Sequence, residues 1–150
     1  MPNRELKTVK SLKQSIAPLS ISADTNGSDV NVGGFDAVTV EINVGLGTGL
    51  SGSAYFEFEL QHADDDGAGS PDTYSAVANA DLTDYVTGTN TGTICKVDDA
   101  AEDNLIYTSG YIGMKEWVRV VANETGAVTS LVCAATIIRE KPNLAPTTNN

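Results

Sequence analysis

Apolar and polar residues alternate with a period of two along much of this chain, the pattern of strands with one face on a core and one in water. The clearest run covers residues 35–44, where Val38, Val40, Ile42 and Val44 share one face and Thr39, Glu41 and Asn43 the other. A second covers residues 53–62, with Ala54, Phe56, Phe58 and Leu60 inward and Tyr55, Glu57, Glu59 and Gln61 outward. Shorter strands are predicted over 15–22, 30–34, 73–78, 92–97 and 104–108, and Pro18 makes the first of these an edge strand or an irregular one. Residues 116–121 carry the only tryptophan, and 128–138 form the longest strongly apolar run. A short Gly-containing stretch, 122–127, joins them, so the pair is predicted to be a β-hairpin, apolar on both faces and covered on both sides. A helical turn is predicted within 79–84, and Leu6, Val9 and Leu12, spaced by three, fit either one or two amphipathic turns or an extended arm. About eight strands with tight turns between them make an all-β chain, an antiparallel β-sandwich of the jelly-roll-like kind.

With 150 residues the chain is long enough for one domain with a real core. The expected division is a basic N-terminal arm at 1–14, a sandwich domain at 15–139 and a flexible tail at 140–150. Charge sharpens that division. The net charge is −11, yet residues 1–14 hold Arg4, Lys7, Lys10 and Lys13 against Glu5, a local +3, leaving −14 on the rest. So acidic a body repels phosphate backbones, which argues against nucleic acid as a partner. No apolar run approaches the roughly 20 residues of a membrane helix, and no apolar signal core opens the chain, so neither a membrane nor secretion is expected.

Candidate chemistry is sparse. Gly45–Gly52 has the glycine density of a dinucleotide loop, but the segment after it alternates as a strand, not as a phosphate-holding helix, so it is predicted to be a hairpin loop. Asp64, Asp65 and Asp66 have neither the spacing nor the closing Glu of an EF-hand, and a solvated turn accounts for them. Cys95, Cys133 and the single His62 do not make a zinc site without acidic help. The two cysteines are expected as buried thiols, with a disulfide the alternative. His62 has no recognisable nucleophile beside it and is read as a strand-end residue. No catalytic residue, metal or cofactor is therefore expected. A carbohydrate-binding sandwich remains an alternative, although only nine residues are Phe, Trp or Tyr.

Three stretches resemble, in order, a family of small virion proteins of tailed bacteriophages: Gly34–Val44, Phe56–Asp66 continuing to Tyr74–Leu82, and Gly110–Val121 with its Gly-Tyr-Ile-Gly and Trp-Val-Arg. The similarity covers roughly residues 34–140; the 68–71 insert and the basic arm depart from it. It implies a head decoration or cement protein on the capsid surface of the virion, assembled in the host cytoplasm. The implied partners are the major capsid protein and further copies of itself, often as a homo-trimer. A tail or head–tail connector role is the second possibility. On that resemblance Arg4, Lys7, Lys10, Lys13 and Arg119 are candidates for capsid contacts, and Trp117 and Tyr111 for contacts between copies.

Overall fold

A computed structural model describes residues 7–144. After a 3-10 turn at Lys7–Val9, the strands are β1 (Lys10–Ile21), β2 (Thr25–Asn26), β3 (Val30–Asn31), β4 (Phe35–Thr48), β5 (Tyr55–Ala63), β6 (Ser75–Ala76), β7 (Thr93–Val97), β8 (Ile106–Tyr111), β9 (Trp117–Thr125) and β10 (Ser130–Pro142). One further 3-10 turn, Asn79–Asp81, stands where a helical turn is predicted. All pairings between these strands are antiparallel.

Two sheets face each other. One has the order β1-β10-β4-β8; in the other β9 and β5 are central, flanked by β2 and β3 on one side and by β6 and β7 on the other. Taking β2 with β3, and β6 with β7, as single rungs leaves eight. First then pairs with last, second with seventh, third with sixth and fourth with fifth. Such nested pairing is a jelly-roll-like winding.

The winding overturns two expectations. β9 and β10 do not form a hairpin: β9 pairs with β5 and β10 with β1 and β4, in opposite sheets. The turn between them therefore crosses the sandwich. Gly126 lies at its start with φ +77°, and a Cβ there would run into the Ser53 carbonyl. Gly45–Gly52 is likewise no hairpin loop. β4 continues through it to Thr48, pairing Gly47 with Leu131, before the chain crosses to β5. Nor are both faces of β10 covered. Leu131, Cys133, Ala135 and Ile137 are buried, whereas Val132 is exposed and Ala134, Thr136 and Ile138 are half-buried.

The N-terminal boundary also moves. Lys10–Gln14 belongs to β1, in register with Glu140–Thr136 of β10, so only Lys7–Val9 of the expected arm precedes the sheet among the described residues. The expected tail likewise begins inside β10, which runs to Pro142. Pro18 falls on an edge strand at a register shift between Ile16 and Leu19, where its missing N–H is tolerated.

The core lies between Val38, Val40, Ile42, Val44, Leu131 and Ile137 of one sheet and Phe56, Phe58, Leu60, Val118 and Val120 of the other. Polar ties close the edge where β1 approaches β9. The Ser15 hydroxyl accepts the Val120 amide (2.9 Å), and the Ser28 amide donates to the Ser15 carbonyl (2.6 Å). Arg139 spans the two sheets. Its guanidinium lies 4.6 Å from the Phe35 ring centre and donates to the Asn31 carbonyl (2.6 Å) and to the Ser11 hydroxyl (2.5 Å). Both cysteines are buried, unbonded thiols, Cys95 on β7 and Cys133 on β10. Burial pushes the Cys133 thiol up to about 11.

Phe58 has no exposed surface and sits mid-strand in β5. Phe58→Ala removes its ring from a site the two sheets prevent from collapsing, and is expected to cost about 3–5 kcal/mol in urea unfolding.

Candidate functional site

At the end of the sandwich where β8 leads into β9, the connection 112–116 faces the segment 32–36 across a half-open groove of about 500 Å³. Val32, Phe35, Val38 and Met114 supply its apolar lining, and Asp36 and Glu116 its acidic groups. Met114 is 95% exposed and Ile112 62% exposed. Large apolar side chains this open on a tied loop are unusual, and grouped apolar exposure marks contact surfaces.

The loop is held at several points. The Ile112 amide donates to the Asp81 carbonyl (2.9 Å), the Lys115 amide to the Tyr111 hydroxyl (3.1 Å), and the Lys115 ammonium pairs with Asp64 (3.3 Å). Both glycines of Gly110-Tyr-Ile-Gly113 answer to close approach. A Cβ on Gly110 would lie 2.9 Å from the Thr83 methyl, and one on Gly113 2.5 Å from the Tyr111 phenol. The motif therefore serves the packing of Tyr111 under the loop.

The sequence candidates fare differently. Tyr111 is only 6% exposed, and its hydroxyl also hydrogen-bonds the His62 Nδ1 (3.0 Å). It is a core tether, and a direct role at a contact between copies does not fit that burial. Trp117 is half-buried and donates its indole N–H to Asp65 (3.0 Å). Arg119 lays its fork on Gln61 Oε1 (3.0 and 2.8 Å) and stacks 4.1 Å over the Tyr74 ring, so its donors already serve the outer face of the second sheet. Burial first, then the nearby Asp29 carboxylate, push the Tyr74 hydroxyl's pKa up. Lys10 pairs with Glu140 (2.8 Å); it starts β1 beside the end of β10, at the groove end of the sandwich, with Lys7 just before it. Lys13 sits within β1, and Arg4 lies outside the described residues. The acidic turn Asp64–Asp66 shares this end, so the lysines do not make it a basic one.

That acidic turn is organised by its own backbone. Asp65 accepts from the Gly67 and Gly69 amides and Asp66 from those of Ala68 and Ser70. The Trp117 N–H first, and the Gly67 amide second, hold the Asp65 carboxyl below its usual range. Among the described residues no three or more His, Cys, Asp or Glu side chains are placed so that together they could hold a metal ion.

Sequence reasoning missed two features. Met114 and Ile112 fall outside any alternating run, and that irregularity was the available signal. Glu59, expected in water, is buried and accepts from the Gln61 and Asn123 side chains, and Glu57, likewise expected in water, is buried under residues 88–90. Its carboxylate accepts the Thr89 amide (2.9 and 3.1 Å), the Asn90 amide (3.3 Å) and the Asn90 side chain (3.4 Å). Gly88 leaves room for it, since a Cβ would lie 2.8 Å from Glu57 Oε1.

Two outcomes follow from these contacts. Glu57→Ala leaves the Thr89 and Asn90 amides without their acceptor. Their hydrogen exchange is expected to accelerate at least about tenfold, with about 1–3 kcal/mol of stability lost. The His62 pKa is depressed, by burial first and by the Lys115 charge second, while Asp81 and Asp64 pull it upward. The unfolded chain then takes up the proton first as pH falls. Stability carried by neutral His62 is complete above about pH 6.5 and is lost on acidification toward the lower folded value. Urea unfolding from pH 7 to about pH 5 is expected to show that loss, and His62→Gln to flatten it.

No family model, no curated protein and no solved structure matches this chain.

Proposed function

We propose that this chain is a structural virion protein, a decoration or cement subunit that binds the assembled head of a tailed bacteriophage and stabilises it. The observation that carries the proposal is the pre-organised apolar lip, Ile112 and Met114, standing over a groove at one end of a closely tied sandwich. A lip already held in place loses little conformational freedom on contact, so its buried area converts efficiently into affinity. A protein that binds the assembled lattice and not the separate capsid subunit stabilises the lattice by mass action. Several linked copies acting together raise avidity with no new contact.

The structure changes which residues the proposal rests on. Arg119, a capsid-contact candidate, is engaged within the subunit, so the lattice contact is assigned to the 112–116 loop. Lys7 and Lys10 border the same end, but Lys10 pairs with Glu140 and the acidic Asp64–Asp66 turn shares that end, so the proposal does not rest on steering by a basic arm. A carbohydrate-binding role loses ground, because among the described residues Tyr85 is the only exposed aromatic residue, the others being buried or half-buried.

The test is co-sedimentation of the purified chain with heads stripped of it, followed by heating. Binding that delays head rupture is expected, and Met114→Asp should weaken it at least about tenfold, more than 1.4 kcal/mol. Recovery of the chain on tails alone, or heads whose heat resistance is the same with and without it, would overturn the proposal.

A further inference from the structure

The outer face of the four-stranded sheet differs from the rest of this acidic chain. Its outward positions in β1, β10, β4 and β8 are mostly Thr, Ala, Asn, Gln, Leu, Ile and Val. Three charged residues stand there: Lys10 and Glu140, which pair with each other, and Glu41. Val132 is 44% exposed and Ile106 61% exposed on this face, and Leu46 is exposed opposite Val132 where the register shifts. Three of the four strands run 12–14 residues. At about 4.8 Å between strands and about 3.3 Å per residue, the face measures about 700 Å². A stable interface buries about 800 Å² on each partner.

We propose that this face is a contact surface between two copies of the chain, packed sheet on sheet about a two-fold axis between β10 and β4. Charge selects the occupant. Two molecules of net charge −11 repel over most of their surface, and this face is nearly neutral. The strand order makes it self-complementary. With the axis between the two central strands, β10 of each copy lies over β4 of the other, and β1 over β8. Register places Glu41 opposite Thr136 within one sheet, so the axis sets each Glu41 carboxylate over the Thr136 hydroxyl of the second copy, not over its own twin. Ala134, in register with Asn43, lies over Asn43 of the second copy in the same way. The contact is isologous, as closed dimers require. It is independent of head binding and differs in symmetry from the trimer that the resemblance implies.

Analytical ultracentrifugation of the full chain at up to about 100 μM is expected to show a reversible dimer. Ala134→Glu and Asn43→Glu each set a carboxylate against the facing copy and should raise the dissociation constant at least tenfold while leaving the thermal unfolding midpoint unchanged at concentrations where the unaltered chain is monomeric. Carbodiimide labelling of Glu41 in the unaltered chain supplies a readout that needs no variant: protection at high concentration, lost on dilution. A chain monomeric throughout that range, an assembly indifferent to both substitutions, a three-fold assembly, or Glu41 labelling independent of concentration would each overturn the proposal. Loss of head binding by a chain that still dimerises would count only against the head-binding role.

Discussion

Closure of the sandwich depends on an apolar layer made by strands that are distant in sequence. Apart from β5, which pairs with β6 and β7 that follow it, the strands find their main hydrogen-bonding partners far along the chain, because most of the longer connections cross from one sheet to the other. β1 pairs with β10 along almost the whole chain length. The one local pairing, β5 with the two-residue β6, is short, and the long ladders become favourable once Val40, Ile42, Leu131 and Ile137 have met Phe56, Phe58, Leu60 and Val118. The loop-closure entropy of such pairing precedes its reward, which places this fold among the slower kinds.

The polar groups follow from the same constraint. Outward-facing side chains of β5 and β9 would stand in water in a bare sheet, but the segments returning across the second sheet cover them. Glu57 then has to find the Thr89 and Asn90 donors, because a buried carboxylate without partners is costly. Arg119 answers with Gln61 and Tyr74, and Trp117 with Asp65. Residues that look like contact hot spots by type thus hold covering segments onto their own sheet. The outer face of the first sheet carries no such covering segment among the described residues, and there apolar and uncharged side chains remain exposed.

The two proposals therefore use separate surfaces. The 112–116 loop and its groove lie at one end of the sandwich, whereas the neutral face lies along its side. A subunit gripping a lattice by its end and a second copy by its side would join two points of a shell. The acidic remainder would disfavour contacts between copies anywhere other than the neutral face.

The alternating runs at 35–44 and 53–62 determined β4 and β5 and the residues they turn to the core, because alternation writes a strand's orientation into every second residue, although the other face of β5 proved to be covered as well. Pro18 marked an edge, Asp64–Asp66 a turn, and the cysteines two buried thiols, each by local chemistry. Pairing was not written locally. Residues 116–121 and 128–138 have the composition of a hairpin, and only the opposed core decided that they lie in different sheets. The burial of Glu57, the tethering of Tyr111 and the exposure of Met114 were likewise set by what the rest of the chain brings over each position, a property of the closed sandwich and not of the residues alone.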